Sequence, residues 1–188
     1  MTPSLIPFPE IIETPRMLLR APRAGDGIAV NAAIQESFDS LHQWMPWART
    51  VPTLEQSEHF AREGAQHYRS REDFPILLWE RDTQLFIGAS GLHPRDWSVP
   101  SFEIGYWVRS SREGQGYVTE AVKALTQVAF AILHAQRLII RCDARNLRSA
   151  RVAERAGYRL EATLRRELRA PDGSLRDTLQ FVRLAGET

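Results

Sequence analysis

Apolar residues along the chain recur with two different spacings, and each spacing predicts one type of secondary structure. The i, i+3, i+4 spacing of a helix packed on a sheet begins at residue 118 and continues through 121, 122, 125, 128, 129, 132 and 133. Apolar and β-branched runs bounded by turn residues predict strands at 16–21, 74–80, 84–92, 101–109 and 137–143. Two further runs, 158–169 and 175–184, predict a hairpin around Pro171, Asp172 and Gly173.

Capping patterns predict two helices in the first third of the chain. Asp26 stands before a helix that we expect to run through about Glu36. Thr53, with a glutamine three residues later, has the capping-box pattern and opens a second helix to about Arg69. Between them, residues 40–50 contain two tryptophans and a proline, and predict a short helix and a loop.

Polar caps and glycines set the remaining boundaries. Asn146 is placed to cap a helix that ends at Gly157, a typical residue just past a helix C-terminus. Gly88 and Gly91 interrupt the strand at 84–92, so we expect a β-bulge there. Residues 94–100 contain two prolines and predict a loop.

Length and composition are those of one globular domain. The chain has 188 residues, of which 43% are hydrophobic and 25% charged, which suffices for a substantial core. Residues 1–12 are punctuated by proline and predict an extended N-terminal arm before a single domain at 13–188. No apolar run approaches the ~20 residues of a membrane span. The first residues lack the basic and long apolar segments of a signal peptide, so we expect a cytoplasmic protein with no membrane partner.

The net charge is +1, but basic and acidic residues are distributed unevenly along the chain. Residues 1–136 carry 12 basic and 16 acidic side chains, whereas residues 137–188 carry 12 and 7, and those twelve cations are all arginine. This excess predicts an arginine-lined mouth for an anionic ligand, or, as the alternative, a solvated arginine-rich helix face. The chain has no nucleic-acid motif and no basic patch interleaved with aromatic residues, so no direct nucleic-acid partner is expected.

Cysteine and histidine usage points away from disulfide, thiol-nucleophile and metal chemistry. Cys142 is the single cysteine, and its apolar neighbours at 138–140 predict a buried structural thiol. The histidines have no metal-ligand spacing with Cys or acidic residues, so we expect no metal site; they are His42, His59, His67, His93 and His134.

A glycine-rich segment at 113–121 (EGQGYVTEA) follows a strand-like run and opens the helix that begins at 118. Backbone N–H groups at such a turn, together with the helix dipole, favour an anion, and Gly114 and Gly116 let the backbone approach it closely. A Walker A loop would need Lys and Ser or Thr after the last glycine, and a dinucleotide fingerprint would need a further Gly or Ala at 119, where the chain has Thr. The segment therefore predicts a different phosphate site, or a plain turn and helix cap.

Together with residues 146–158 (NLRSARVAERAGY), this segment resembles the acetyl-CoA loop of the GCN5-related N-acetyltransferase (GNAT) superfamily, of the form Arg/Gln-x-x-Gly-x-Gly/Ala. Gly116 matches the central glycine, whereas Glu113 and Val118 depart from the usual residues. Within the superfamily the chain looks most like the RimL/RimJ-type ribosomal-protein N-terminal acetyltransferases. Four segments carry this similarity: 14–20 (TPRMLLR), 44–47 (WMPW), 103–107 (EIGYW), and 146–158, with its Asn-x-x-Ser and Gly-Tyr.

The resemblance implies an α/β (α+β) fold: a mixed, twisted sheet of about seven strands with helices on both faces, in the order β-α-α-β-β-β-α-β-α-β-β. It also implies an N-acetyltransferase that uses acetyl-CoA and direct attack by a primary amine. The expected acceptor is a protein N-terminal α-amine of ribosomal-protein type. A small amine (polyamine, amino acid or antibiotic) is one alternative, and a non-catalytic acyl-CoA-binding module is another. The oligomeric state stays open, with a homodimer among the alternatives.

The resemblance also implies a set of residues that bind the co-substrate. Backbone amides of the loop would hold the pyrophosphate, main-chain groups at the end of the preceding strand would hold the pantetheine arm, and arginines would reach the phosphates. This set comprises Trp107, Val108, Arg112, Glu113, Gly114, Gln115, Gly116, Tyr117, Val118, Thr119, Asn146, Arg148 and Arg151.

Candidate catalytic residues follow from strand alternation and from the resemblance. Glu103 shares a strand face with Gly105, close to the expected acetyl position, and is the first candidate for general base; the alternative is a strand carboxylate paired with an arginine across the sheet. Asp143 is the reserve base. The resemblance implies that Asn146 contacts pantetheine or substrate and that Ser149 gives a proton or hydrogen bond to the departing thiolate, in the positive first turn of its helix. Three tryptophans are candidate walls of the acceptor site, with core packing as the alternative: Trp44, Trp47 and Trp97.

Overall fold

A computed structural model describes residues 7–170 and 173–187. The strands are β1 (Ile11–Glu13), β2 (Met17–Arg20), β3 (Phe74–Glu80), β4 (Phe86–Asp96), β5 (Ser101–Val108), β6 (Arg137–Asp143), β7 (Arg159–Arg169) and β8 (Leu175–Leu184). The helices are α1 (Gly27–Trp44), α2 (Leu54–Ser70), α3 (Tyr117–Ala131) and α4 (Leu147–Arg155), with a 3₁₀ turn at Ser110–Arg112. Within the described ranges, every helix is too short or too polar to cross a lipid bilayer.

The eight strands form one sheet in the order β1-β2-β3-β4-β5-β6-β8-β7. All neighbouring pairs are antiparallel except β5 and β6, which are parallel, so the expected mixed α/β sheet is confirmed. The strand beyond the predicted seven is β1, where the end of the proline-punctuated segment pairs with β2 and places Ile12 opposite Leu19. Residues 1–6 of the predicted arm lie outside the described residues.

Helices cover both faces of the sheet because its central strands are apolar on both faces, the pattern typical of a sheet buried between two layers. In β3, Ile76 and Leu78 join the core beneath α3 and α4, whereas Leu77 between them joins a second core beneath α1. The first core contains fully buried residues of α3, namely Ala121, Val122, Leu125 and Ala129. The second contains Val30, Ile34 and Leu41 of α1 with Phe86 and Ala89 of β4.

Helix α1 is longer than the sequence predicts: it ends at Trp44 instead of about Glu36. Its buried positions keep the helical spacing to the end, at Val30, Ala33, Ile34, Ser37 and Leu41. No glycine or proline interrupts the chain between Gly27 and Pro46. The separate short helix predicted within 40–50 is therefore the last part of α1.

Asp26 precedes α1, but its side chain does not cap the helix, so that prediction is wrong. Its carboxylate instead accepts both guanidinium hydrogen bonds of Arg20, at 2.8 Å each, and the backbone N–H of Arg23 at 2.7 Å. The bidentate arginine pair is a stronger competitor for the carboxylate than a helix amide. Asp26 thus ties the start of α1 to β2.

Strand β4 is displaced from its predicted range. It begins at Phe86, because Gln84 has a φ of 56° in the preceding turn, and it continues to Asp96, through part of the predicted loop, because it stays paired with β5. The expected bulge is confirmed: the register with β3 shifts next to Gly88. A Cβ at Gly88 would lie 2.3 Å from the carbonyl oxygen of Trp107, so this glycine lets β4 and β5 approach.

The other predicted boundaries agree with the structure. Thr53 and Gln56 form both hydrogen bonds of the capping box, and Asn146 accepts a hydrogen bond from the backbone N–H of Ser149 at 3.0 Å. Gly157 follows α4 with a φ of 86°. Of the predicted hairpin turn, Gly173 has a φ of 83°, whereas 171 and 172 lie outside the described residues.

The parallel strands β5 and β6 pair over a short distance only. Their paired residues run from Ser101 opposite Arg137 to Glu103 opposite Ile139. Beyond that point β5 keeps its antiparallel partner β4 as far as Val108, while β6 keeps β8 as far as Asp143. The two strands therefore separate, and the side of β5 that faces β6 lies open from Ile104 onward.

Candidate active site

A cavity of about 420 Å³ lies where β5 and β6 separate. Its walls are the end of α1, the end of β5, the loop that follows β5, and the first turns of α3 and α4. Because α3 follows β5 and α4 follows β6, both helix N-termini lie at this opening. The first-turn amides of a helix have no acceptor within the helix and carry partial positive charge. The cavity is therefore suited to an anionic ligand.

The loop at 113–116 turns through two glycines in the left-handed region. Gly114 has a φ of 71°, and Gly116, the residue that precedes α3, has a φ of 82°. Such angles are costly for residues with a Cβ. Gly116 and the next three residues line the cavity, so the loop presents the backbone of the α3 N-terminus to it.

Arg16, between β1 and β2, holds this loop from outside the cavity. Its Nη1 donates to the carbonyl oxygen of Gln115 at 2.9 Å, and its Nε donates to the carboxylate of Glu120 in α3 at 2.7 Å. The guanidinium also lies 4.3 Å from the ring centroid of Tyr117. In the sequence, the segment at 14–20 is marked only by a family resemblance. The contact of Arg16 with the loop was not predicted.

Helix α1 binds the residues that lead from β5 into this loop. The carboxylate of Glu36 accepts from the guanidinium of Arg109 and from the backbone N–H of Ser111, and Ser37 Oγ accepts from the N–H of Ser110 at 2.9 Å. The hydrogen bond from Arg109 lowers the pKa of Glu36 to about 2. The carboxylate therefore stays charged and bound at neutral pH.

Glu80, at the end of β3, binds two residues predicted to contact the co-substrate. It accepts from the Tyr117 hydroxyl at 2.6 Å and from Arg112 Nε at 3.3 Å. Hydrogen bonds from Thr83, Tyr117 and Arg112 lower the pKa of Glu80 to about 2. Arg112 and Tyr117 line the cavity, but their polar ends are engaged by this carboxylate.

Glu113 stands where the resembling family usually has Arg or Gln. Its carboxylate accepts a hydrogen bond from Ser40 Oγ of α1 at 3.1 Å and forms an ion pair with Arg148 of α4. The pair neutralises the acidic residue at the mouth, and Arg151 and Arg155 line the same mouth. Arg148 and Arg151 were predicted to reach the phosphates, whereas Arg155, one further turn along α4, was not predicted.

A hydroxyl pair lies on the α4 side of the cavity. The Tyr106 hydroxyl donates to the Ser149 carbonyl oxygen at 3.0 Å and lies 3.1 Å from Ser149 Oγ. Burial raises the pKa of the Tyr106 hydroxyl, which therefore remains protonated. Asn146 holds the backbone of Ser149, and both line the cavity. Tyr106 was missed because strand alternation groups it with the core residues Phe102 and Ile104.

Cys142 is buried near the same place, at the end of β6. Burial raises the pKa of its thiol, and the Ser149 hydroxyl opposes this effect only in part. The expectation of a buried structural thiol agrees with this environment.

The candidate bases do not line the cavity. The Glu103 carboxylate lies 3.5 Å from Nη1 of Arg95, which is the cross-strand arginine pairing given as the alternative to a catalytic role. Asp143 is buried and pairs with Arg145 at 2.8 Å and Arg176 at 3.7 Å. Burial raises the pKa of Asp143, but the bonds and charges of these arginines outweigh it and lower that pKa.

The three candidate tryptophans fall into two groups. Trp44, the last residue of α1, lines the cavity, and the half-exposed Trp47 lies 6.1 Å from the ring of Trp107 on β5. Trp97 is elsewhere, with its ring 5.1 Å from Phe102 against the larger core.

The cavity is lined by all but one of the residues predicted to bind the co-substrate. Gln115 is the exception, and its carbonyl oxygen is bound by Arg16. Six lining residues were not singled out by sequence: Ser40, Leu41, Met45, Tyr106, Val152 and Arg155. In the part of the chain that the structure describes, His, Cys, Asp and Glu side chains form no group able to hold a metal ion.

Comparison with known proteins identifies the family to which this cavity and fold are similar. Residues 16–159 match the model of the acetyltransferase (GNAT) domain. Ribosomal-protein-serine acetyltransferase of Escherichia coli (strain K12) is 25% identical over 155 residues, which cover 76% of this chain and 85% of that protein.

Two solved structures have the same fold. One is RimL, a ribosomal L7/L12 alpha-N-protein acetyltransferase in complex with coenzyme A, with a TM-score of 0.84, 20% identity, and coverage of 93% of this chain and 98% of that one. The other is the microcin C7 self-immunity acetyltransferase MccE in complex with acetyl-CoA and AMP, with a TM-score of 0.83, 20% identity, and coverage of 91% and 93%.

We predict that Arg16→Gln loosens the loop without unfolding the domain. The change removes a charged donor to Gln115 and the ion pair with Glu120, and because Arg16 is partly exposed, solvent screening limits their joint contribution to about 1–2 kcal/mol. Amide hydrogen exchange at 114–118 should accelerate about tenfold or more, while exchange in β3 and β4 stays unchanged. Arg49→Gln, at an exposed position after α1, is the matched control and should leave both regions unchanged. Unaltered exchange at 114–118 in the Arg16 variant would contradict the bracing role.

Proposed function

The chain belongs to the GNAT family of acetyltransferases, and on that premise we propose that it transfers the acetyl group of acetyl-CoA to the N-terminal α-amine of a protein. The observation that carries the proposal is the cavity between β5 and β6, with two helix N-termini and four arginines at one opening. The names of the Escherichia coli relative and of RimL support the choice of acceptor. The expected cytoplasmic location belongs to the same proposal.

The anion-binding character of the cavity supports acetyl-CoA as the co-substrate. Acetyl-CoA supplies the acetyl group as a thioester, and its pyrophosphate matches the exposed backbone amides that begin at Gly116. Arg148 and Arg151 add positive charge on the facing helix, and Arg148 also neutralises Glu113. Main-chain groups of Trp107 and Val108 are proposed to bind the pantetheine arm on the open side of β5, because among the described residues β6 pairs with that side only as far as Glu103.

Ser149 is proposed to supply a proton or hydrogen bond at the sulfur side of the reaction. Its Oγ shares a hydrogen bond with the protonated Tyr106 hydroxyl, and Asn146 holds its backbone in the first turn of α4. Negative charge that develops there is favoured by the positive end of the helix and by the two hydroxyls. Tyr106 and Asn146 act as positioning residues in this proposal.

Direct attack by the amine is favoured over a covalent enzyme intermediate. The one cysteine near the cavity is buried and has a raised thiol pKa, which disfavours the reactive thiolate. A protein α-amine has an ordinary pKa of about 7.7–8.0, so a useful fraction is neutral near pH 7.5.

The first test measures CoA release from acetyl-CoA with a panel of acceptors and a control without acceptor. We expect release with peptides that begin with Ser or Ala and none with the same peptides after N-terminal blocking, because only the α-amine differs. Release with polyamines, amino acids or an amine-bearing antibiotic, but not with peptides, would favour the small-amine alternative. Tight acetyl-CoA binding with no acceptor in the panel would favour a non-catalytic binding module.

We predict that Ser149→Ala lowers kcat by about 10²–10³-fold and leaves the KM for acetyl-CoA nearly unchanged. The hydroxyl is needed as negative charge develops at sulfur, whereas binding depends on the loop amides and arginines. Steady-state kinetics under chemistry-limited conditions give the result, with Ser98→Ala in the β4–β5 turn as the matched control. An unchanged kcat in the Ser149 variant would remove this residue from the mechanism.

A further inference from the structure

His93 lies on β4, across β5 from the point where β5 leaves β6; it is next to the cavity-lining strand but is not itself a lining residue. It is paired across β4 and β5 with Glu103, the last residue of β5 that pairs with β6. Its imidazole covers two opposed glycines: a Cβ on Gly91 would lie 2.9 Å from both Cε1 and Nε2, and a Cβ on Gly105 would lie 3.5 Å from Nε2. The absence of side chains at these two positions makes room for the ring, and Nε2 faces the middle of β5.

Asp73 fixes the orientation of this ring. Its Oδ1 lies 2.8 Å from Nδ1 of His93, and the residue directly precedes β3. A carboxylate accepts the Nδ1 hydrogen, so the neutral ring keeps its lone pair on Nε2. Among the described residues, Nε2 has no hydrogen-bond partner, and 43% of the His93 side chain is exposed. The arrangement is that of an oriented imidazole with its basic nitrogen free.

We propose that Nε2 of His93 accepts the proton of the acceptor ammonium group, with Asp73 as the residue that positions it. This inference rests on the proposed acetylation of an amine. The ammonium gives one proton to Nε2, the nitrogen lone pair forms the C–N bond at the thioester carbonyl carbon, and the C–S bond breaks with its electron pair on sulfur. A second proton leaves nitrogen and one proton reaches sulfur. The products are the amide, CoA thiol and protonated His93.

An imidazole suits this step better than the nearby carboxylate. The ordinary pKa of histidine, about 6.5, is much closer to that of an α-amine, about 7.7–8.0, than is the ordinary value for Glu, about 4.3. Glu103 is moreover paired with Arg95. In this proposal Glu103 contributes charge beside the imidazole and does not take the proton.

Two carboxylates from neighbouring elements act on the ring, Asp73 before β3 and Glu103 on β5, and Arg95, two residues further along β4, pairs with Glu103. Burial lowers the pKa of His93, but the hydrogen bond and charge of Asp73, with the charge of Glu103, outweigh burial and raise that pKa. Removal of the Asp73 charge must therefore lower the pKa of His93. The acid limb of the pH profile should then move to lower pH.

The kinetic test compares kcat/KM from pH 6 to 9 for the unaltered enzyme, His93→Gln and Asp73→Asn, on an acceptor found in the panel above. We expect His93→Gln to lose about 10²-fold at pH 6.5 and to recover toward pH 9 as the free-amine fraction rises. Asp73→Asn should shift the acid limb to lower pH. A constant ratio of variant to unaltered rate across this range would overturn the proposal, because a merely structural role lowers the rate equally at every pH.

His59→Gln is the matched control. His59 in α2 also contacts a carboxylate, Glu63, at 3.1 Å, but it is strongly exposed and belongs to a helix, not to the sheet that carries His93 and Gly105. This variant should keep the rate and the pH profile of the unaltered enzyme. A pH-dependent loss equal to that of His93→Gln would count against a specific role for His93.

A second readout needs neither turnover nor co-substrate. NMR titration of the free protein resolves its five imidazoles, and the signal lost in His93→Gln identifies His93. We expect this ring to titrate above the ordinary value of about 6.5 and to titrate lower in Asp73→Asn. Insensitivity to Asp73→Asn would overturn the proposed pairing. If the acetylation proposal fails, the unaltered enzyme releases no CoA with any acceptor. If only the role of His93 fails, the unaltered enzyme is active and His93→Gln has the same pH profile.

Discussion

The short pairing between the parallel strands β5 and β6 is the constraint on which the rest of the site depends. The strands hold each other only as far as Glu103 and Ile139, and each then follows a different antiparallel partner. Their separation leaves the backbone of β5 open on one side and brings the N-termini of α3 and α4 to one opening. A binding site with main-chain donors, two positive helix ends and arginines follows from this geometry. The chemistry proposed for Ser149 belongs to the α4 side of this gap, and the chemistry proposed for His93 belongs to the β4 side of β5.

The loop that closes the gap is held by residues far away in sequence. Arg16, Glu36 and Glu80 come from the first half of the chain, yet each bonds the segment between β5 and α3. Together these contacts fix the turn that contains Gly114 and Gly116. It also gives a physical account of two departures from the usual loop pattern. Glu113 is neutralised by Arg148, and backbone amides, which do not depend on side-chain identity, remain at Val118.

Local signals predicted most elements, and long-range contacts account for what they missed. Three features depend only on residues within one or two helical turns: the capping box at Thr53, the cap at Asn146 and the periodic α3. Such local features can be predicted from the sequence. The end of α1 and the extent of β4 depend on burial and on pairing with other elements. Arg16, Tyr106 and His93 act through partners 20 to 104 positions away, so no spacing in the sequence marked them. Asp26 illustrates the competition directly, because its partner Arg20 displaced the expected cap.

Calorimetric titration of acetyl-CoA into the unaltered protein and into Gly116→Val tests the central claim most directly. The account predicts one saturable site per chain for the unaltered protein. It predicts affinity at least about tenfold weaker in the variant, because a β-branched residue strains the left-handed turn that presents the α3 amides. Absence of binding to the unaltered protein, or equal affinity in the folded variant, would contradict the assignment of this cavity to the co-substrate.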